Sequence, residues 1–512
     1  MVSARALAVG LWLYVGISTG GPAWAQDTAG IDLVGTEELP NEENQAEVEI
    51  IDAPVSDDAA AENEEPSVDP RYVLQGVVVR GNHKTRENTI LKVLGLKAGD
   101  VVTPADRRVL AARSRLLALG YFLEVRLSLD KGGSRGSAIL VVEVQERGTV
   151  IINGLYLGTS EATLAWGGLD VAETNFLGRG VLLSGGLVRS TTPNVPGALA
   201  AQAYRLGVGV PLLDLDGPWV TANFLYSRGS EFFRGVGDTG ERRPADYVSA
   251  NTTRLGGRAG VGVFLARTTR LFAEARVERL QSDLPDLRSR DLGAGRASHI
   301  DFSINEDRSH LASILISLDV DTRDDPFLPR AGNRLLFSLE SGVGAAFADY
   351  SFSKGILQYS HHIPVGKRRH SFSVHSFAGL IHGNAPYFDR FFVADLNQLL
   401  PPRALGLNFS TLPSYNVLEN AVNEHRFADY AGRVMIEYSL AIWRGRGFFY
   451  RADFFTGLGA FALTQSRDLR VRSGSVYEAL PVDFTADLGL RLDSAIGIFN
   501  ISVANFLGRI RY

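Results

Sequence analysis

Residues 482–493 read VDFTADLGLRLD. Val482, Phe484, Ala486, Leu488, Leu490 and Leu492 fall on one side of a two-residue repeat, and Asp483, Thr485, Asp487, Arg491 and Asp493 on the other. Side chains alternate between faces along a strand, so this is a strand with one apolar and one polar face. The same alternation runs through most of 149–512. HLASILISLDV at 310–320 sets Ile314, Ile316, Leu318 and Val320 against Ser313, Ser317 and Asp319. NRLLFSLESG at 333–342 sets Leu335, Phe337 and Leu339 against Arg334, Ser338 and Glu340. Leu315 and Leu336 break the pattern.

A soluble sandwich also alternates, so the connections must discriminate. Those at 178–180, 365–367 and 444–447 are tight and glycine-containing, whereas 229–250, 283–308, 383–427 and 463–480 are long. Short turns at one end and long loops at the other mark a transmembrane barrel. Aromatics near strand ends, as at Phe448-Phe449-Tyr450 and Tyr387-Phe388, fit interfacial girdles. After the first twenty residues no apolar run is long enough for a membrane helix. Only helices and closed barrels satisfy the backbone in lipid. The expected fold is therefore an all-β transmembrane barrel, its apolar face toward lipid and its polar face toward a water-filled or plugged lumen. The charged connection DTRDDPFLPRAGNRL at 321–335 reads as a turn whose prolines and Gly332 end both strands and whose charges stay in water.

The N-terminus has Arg5, an apolar stretch from Ala6 to Ile17 and Ala23-Trp24-Ala25 before Gln26, the order of a cleaved secretory signal over 1–25. Residues 26–70 carry fifteen Asp and Glu, no Lys or Arg and no aromatic residue. Such a segment buries too little apolar surface to offset its ordering entropy, and reads as a disordered acidic linker. Of 52 basic and 57 acidic residues, the signal holds one arginine and the linker fifteen acids, leaving 51 against 42, a basic body. That body suits anionic headgroups or acidic partners. Its charges are scattered over strands, which excludes a nucleic-acid module. The chain has no cysteine, so no disulfide framework supports it.

Between linker and barrel, 71–148 reads β-α-α-β-β. YVLQGVVVR is a strand ending at the Gly81-Asn82 turn. Thr85 is the expected cap of a first helix and Thr103, followed by Pro104, of a second. Gly120 stops that helix, and YFLEVRLSL and SAILVVEVQE follow as strands. No G-x-S-x-G, H-E-x-x-H or P-loop is present, so no catalytic, metal or cofactor site is expected. His361 and His362 read as solvated residues beside a short turn.

Residues 71–148 resemble a POTRA domain, on the residues of VVVRGNHKT and of LLALGYFLEVRL with Gly120-Tyr121-Phe122. The turn signature Asp321, Arg323, Asp324, Pro329 and Gly332 is similar to that of the BamA/TamA-like assembly and translocation barrels. So are Gly168-Leu169-Asp170 through Glu173, Asn175, Phe176, Gly178 and Gly180, and LGLRLDSAIGIFNISVA. The resemblance covers 71–512 and implies nominally sixteen antiparallel strands after one POTRA domain. It implies an outer-membrane location, with POTRA domain and linker in the periplasm. The partners it implies are unfolded outer-membrane or secreted β-rich chains, outer-membrane lipid and accessory subunits. It implies strand addition at the POTRA edge and a lateral gate between first and last strands. It also implies that the loop at 383–427 folds into the lumen with a tip arginine paired to a strand acid. Arg403 is the candidate tip, with Ala404 and Leu405 in place of glycine and an aromatic residue, and Asp453 and Thr456 are the candidate partners. Counting strands by direction makes 482–493 the fourteenth and 497–506 the fifteenth. Leu507 to the aromatic Tyr512 is then too short for a full sixteenth.

Overall fold

The computed structural model describes residues 71–103, 106–159, 162–212, 217–235, 243–266, 268–325, 327–344, 348–366, 369–396, 403–409, 427–445, 447–465 and 482–506, with the dipeptide Val15–Gly16. In the N-terminal α/β domain, β1 (Tyr72–Arg80), α1 (Glu87–Leu94), β2 (Val101–Val102), α2 (Arg107–Ala118), β3 (Phe122–Lys131) and β4 (Ser137–Glu146) follow in order. The sheet order is β2-β1-β4-β3, with β1 and β4 parallel. The expected β-α-α-β-β order holds, with the short β2 added between the helices. Ile90, Leu94, Ala112 and Leu116 recur at helical spacing and bury against Leu74, Val125, Leu140 and Val142 of the sheet.

The caps differ from expectation. Arg86 occupies the cap position of α1 without a side-chain bond, and at α2 the Asp106 carboxylate accepts the Arg108 N–H. Pro104 lies outside the described residues. The Thr85 hydroxyl is recruited elsewhere, accepting from Nδ2 of Asn175 in the barrel at 2.9 Å. After Gly81-Asn82 the chain is held by Glu146, whose carboxylate accepts N–H bonds from His83, Lys84 and Thr85 at 3.1, 2.8 and 2.6 Å. Burial pushes this carboxyl up, but the bonds from Thr85, Lys84 and His83 outweigh it and hold it below the usual carboxylate range.

The second unit is a nearly closed barrel of fifteen antiparallel strands. They are β5 (Val150–Gly158), β6 (Trp166–Phe176), β7 (Val181–Ser190), β8 (Gln202–Pro211), β9 (Trp219–Arg234), β10 (Tyr247–Ala266), β11 (Thr269–Asp283) and β12 (Asp307–Asp321). Then come β13 (Gly332–Gly342), β14 (Phe352–Val365), β15 (His370–Gly383), β16 (Tyr430–Arg444), β17 (Phe449–Thr464), β18 (Val482–Ser494) and β19 (Gly497–Phe506). Each pairs with its neighbours in chain order. Residues 507–512, with Tyr512, lie outside the described residues, so the fifteenth strand is the last one described.

The alternation is oriented as a lipid-facing barrel requires. Leu458 is 69% exposed and Ile314 53%, while Asp483 and Asp487 are 1% and 2% exposed. Apolar residues face out and charged residues face in, the reverse of a soluble sandwich. Among the described residues no helix is long and apolar enough to cross a membrane.

Two connections depart from the sequence reading. The one expected at 229–250 is only 235–246, because β9 and β10 stay paired out to Arg234 and Tyr247. The turn at 322–331 does not leave its charges in water: Asp321, Arg323 and Arg330 are 3%, 4% and 5% exposed. Arg323 bonds Asp321 through Nε and Nη2 at 2.9 and 2.6 Å. The Asp324 carboxylate accepts the Arg330 and Ala331 N–H groups at 2.8 and 3.1 Å. Gly332 has φ +95°, and a Cβ there would lie 2.2 Å from Thr322 O. Pro329 stands between these anchors as the turn folds back under the barrel.

The α/β domain docks against this end. Trp219 lies in its core cluster, with Leu182 and Phe264 packed on it. Tyr121 donates to Thr174 O at 3.1 Å, and the Arg147 guanidinium stands 3.9 Å over the Phe327 ring. The start of α1 sits on the β6–β7 turn: Arg86 N–H and the Thr89 hydroxyl both donate to Gly178 O, at 3.1 and 2.8 Å. Gly178 has φ +70°, and a Cβ there would lie 2.1 Å from Lys84 O.

Candidate functional site

The loop between β15 and β16 enters the lumen at the end far from the α/β domain. Its residues Tyr387, Phe388, Phe391, Phe392 and Phe427 share one apolar cluster with wall residues such as Leu280, Leu311 and Phe461. The lumen is therefore plugged by packed aromatics. Leu280 and Leu311 project inward although the wall is mainly polar, because the aromatic plug supplies their partners.

Around this cluster lies a charge network. On β11, Arg276 bonds Glu278 through Nε at 2.6 Å. Its Nη1 reaches Glu340 of β13 at 3.3 Å and both carboxylate oxygens of the loop's Asp389 at 3.0 Å. Arg254 of β10 bonds Glu278 at 3.0 and 3.3 Å and stands 3.8 Å over the Phe388 ring. Lys354 of β14 donates to Asp389 O at 2.7 Å. Buried charges persist only when paired in this way.

The sequence-derived latch is not assembled. Arg403 is buried, but it donates to the carbonyls of Phe388 and Arg390 in its own loop, and it lies 4.4 Å over the Phe392 ring. Asp453 pairs instead with Arg330 at 2.8 Å and Arg451 at 2.6 Å. Thr456 shares the outward parity of Leu458 and donates to Asp487 O at 3.1 Å, so it cannot meet a loop in the lumen. Glu437 of β16 is taken by Arg491 of β18 at 2.6 Å. His362 is also corrected: it is 6% exposed, faces inward and contacts the Ser373 hydroxyl at 2.7 Å.

Beyond Arg403 the loop forms a tight hairpin. Ala404 and Leu407 exchange backbone bonds at 2.9 and 3.0 Å, with φ +48° at Leu405 and +81° at Gly406, both central residues left-handed as in a type I′ turn. Ala404, Leu405 and Phe409 pack on Tyr156 of β5, Trp166 of β6, Val188 of β7 and Ala203 of β8. Phe409 stacks on Trp166 with centroids 4.8 Å apart. Asn408 donates to Glu231 of β9 at 2.8 Å. The loop thus crosses from β15 and β16 to the first strands. Sequence reading missed Asp389, Arg276 and this hairpin. The signals present were the alternate charges Glu274, Arg276 and Glu278, and the acid inside PYFDR.

The seam lies between β5 and β19. Fifteen alternating strands make both run away from the α/β domain, and among the described residues they do not pair with each other. The outer edge of β5 meets Val15–Gly16, which pair antiparallel with Leu155 and Gly154. Near the α/β domain the seam is tied: Ile152 N–H donates to Ile496 O at 2.9 Å, and Arg147 bonds Asp493 at 2.9 Å.

The sequence model of the Omp85 superfamily domain matches residues 175–510. A POTRA model, described as surface antigen variable number repeat, matches residues 72–147. No curated protein matches the sequence. Among solved structures the chain is similar to CdiB from Escherichia coli at 13% identity, covering 83% of this chain and 70% of that one, with a TM-score of 0.53. It also matches BamA from Haemophilus ducreyi lacking POTRA domains 1–3, at 14% identity, 86% and 82% coverage and a TM-score of 0.47. At this identity the CdiB likeness speaks to the fold.

Proposed function

The chain belongs to the Omp85 superfamily, and on that premise we propose that it inserts or translocates unfolded β-rich proteins at a bacterial outer membrane. The POTRA domain and acidic linker then lie in the periplasm. A substrate strand would pair first with a POTRA edge, where β3 is the outer strand of its sheet, and then with β5 at the seam. Closing the substrate's own barrel removes exposed edges and buries apolar surface, so no cofactor and no covalent catalysis is required. The observation carrying this reading is the seam: among the described residues β5 and β19 do not pair with each other, and the free edge of β5 is taken by Val15–Gly16, while every other barrel strand pairs with its neighbours in chain order. The alternative is a passive pore or structural barrel that keeps its POTRA domain as an anchor. The packed aromatic plug disfavours an open pore in this state.

Depletion in the native host, followed by quantitative profiling of the outer-membrane fraction, tests the reading. A broad fall in other barrels is the outcome for a general assembly factor, and loss of one or two proteins that for a dedicated translocator. An unchanged profile refutes both. A cysteine pair joining β5 near 151–156 to β19 is expected to abolish activity until reduced.

A further inference from the structure

The outward face of the wall carries a charged feature that neither the plug nor the seam uses. At the end far from the α/β domain, Arg189 of β7, Arg228 of β9, Arg279 of β11 and Arg308 of β12 are exposed. Each shares its parity with an exposed apolar residue of its own strand, Leu187, Phe224, Val277 and Ile314 in turn. The ladder sets them at nearly one height. Arg189 lies opposite Gln202, Gln202 opposite Arg228, Arg228 opposite Thr253, Thr253 opposite Gln281 and Gln281 opposite Arg308. Arg279 stands one outward position below Gln281 on β11. The arc crosses five interstrand spacings, roughly 24 Å, and holds cations and neutral polar groups but no carboxylate. Among the described residues none of the four guanidiniums has a hydrogen bond or ion pair, whereas the luminal Arg254, Arg276, Arg334 and Arg491 are all held by carboxylates. The corresponding outward positions of β13, β14, β16 and β17 are Ser341, Ser353, Tyr430 and Ala462. Acids stand near the β11–β12 end: Asp283 follows on β11, and Asp349 accepts the His310 N–H at 2.7 Å. The outward positions of β7, β8 and β9, around Arg189 and Arg228, hold none.

We propose that this arc binds a phosphorylated lipid of the external leaflet, with its phosphates on the arginines and its acyl chains on the apolar rows beneath. A guanidinium presents a planar fork of donors that matches phosphate oxygens. Toward the membrane centre the same strands carry Leu187, Tyr204, Tyr226 and Leu255 in one row and Leu206, Phe224 and Val277 in the next. The Tyr204 and Tyr226 rings stack with centroids 6.1 Å apart. Such rings sit where one end is apolar and the other wet, which sets the arginines above them at headgroup height. At that depth an outward arginine costs a barrel little, but cations on one arc repel each other unless an anion joins them. Which leaflet supplies the lipid rests on the outer-membrane reading above; the binding itself rests on the wall.

The test titrates the folded full-length chain, in a neutral detergent, with diphosphorylated lipid A and reads the lipid retained by native mass spectrometry. Arg189→Gln with Arg228→Gln is expected to weaken retention at least about tenfold, since both forks are lost. Arg288→Gln with Arg296→Gln removes two cations from the loop beyond β11 at the same end, and should leave retention unchanged. Dephosphorylated lipid A, with the same chains, should bind the native protein as weakly as lipid A binds the first variant. Inorganic phosphate in excess should not displace the lipid, because it has no chains to lay on the apolar rows. If the first variant lacks the heat-modifiable electrophoretic shift of a folded barrel, Arg279→Gln with Arg308→Gln replaces it. Unchanged retention in the folded arc variant overturns the proposal, as do an equal loss in the loop variant, equal retention of the dephosphorylated lipid or displacement by phosphate. Substrate insertion does not enter this readout, so an unchanged outer-membrane profile on depletion refutes the proposed function and leaves the lipid site standing.

Discussion

Replacing Gly178 by alanine should undock the POTRA domain from a barrel that stays folded. Two costs add. The left-handed backbone, φ +70°, is unfavourable for a residue with a Cβ by about 1–2 kcal/mol. That Cβ would also lie 2.1 Å from Lys84 O and 2.8 Å from Arg86 N, so the start of α1 must retreat. The retreat breaks the Arg86 N–H and Thr89 hydroxyl bonds to Gly178 O and the Asn175–Thr85 bond. Three such bonds contribute about 0.5–1.5 kcal/mol each. The sum is at least about 2.5 kcal/mol, or roughly sixtyfold or more in the docking equilibrium at about 1.4 kcal/mol per decade. Hydrogen exchange over 83–89 and 174–180 should lose protection by that factor, while the barrel ladder stays protected. Gly366→Ala supplies the control, with a similar φ of +60° but open space around the added carbon. Unchanged protection in folded Gly178→Ala, or an equal loss in the control, would refute the reasoning.

Other perturbations separate the two faces of the wall. Leu458→Arg, mid-strand on β17 and 69% exposed, should destabilise folding into vesicles by about 2–4 kcal/mol in a urea titration, whereas Leu458→Phe should be nearly neutral. Arg330→Ala leaves Asp453 with Arg451 alone and should cost about 3 kcal/mol by the same titration. Thr456→Ala, on the outward face, should cost less than about 1 kcal/mol. Because the folded pKa of Glu146 is depressed, its contribution is fully present above the unfolded value of about 4.3 and is lost as pH falls through the folded value. Amide exchange at His83–Thr85 should therefore loosen only in that acidic window, and Glu146→Gln should remove the step.

The buried charges explain why the wall can be so polar. Arg276, Glu278 and Asp487 are 2–3% exposed, yet they lie inside a nearly closed barrel where neighbouring strands hold oppositely charged side chains at fixed spacing. The network's worth lies more in register and plug position than in net stability, since desolvation offsets much of the Coulombic gain.

Alternation along single strands gave the inward and outward faces, because the period of two is a local property of the backbone, and the contrast of short turns with long loops separated a barrel from a sandwich; the nominal count of sixteen compares with fifteen barrel strands among the described residues. The β-α-α-β-β order of 71–148 was legible for the same kind of reason, as helical spacing and turn residues sit within a few positions of each other, and its resemblance to a POTRA domain rested on the residues of VVVRGNHKT and LLALGYFLEVRL. Local reading went wrong where a side chain had a distant claimant. Thr85 looked like a helix cap until Asn175, ninety residues on, took its hydroxyl. The 322–331 turn looked solvated until β17 and the docked domain covered it. Arg403 and Asp453 looked like a pair until each found a nearer partner, and the parity of Thr456 excluded it from the lumen. The pairing of Asp389 with Arg276 could not be read at all, because the two lie 113 residues apart and meet only when the returning loop enters the barrel. Face and fold follow from neighbours in sequence; which charge meets which is decided by closure of the barrel.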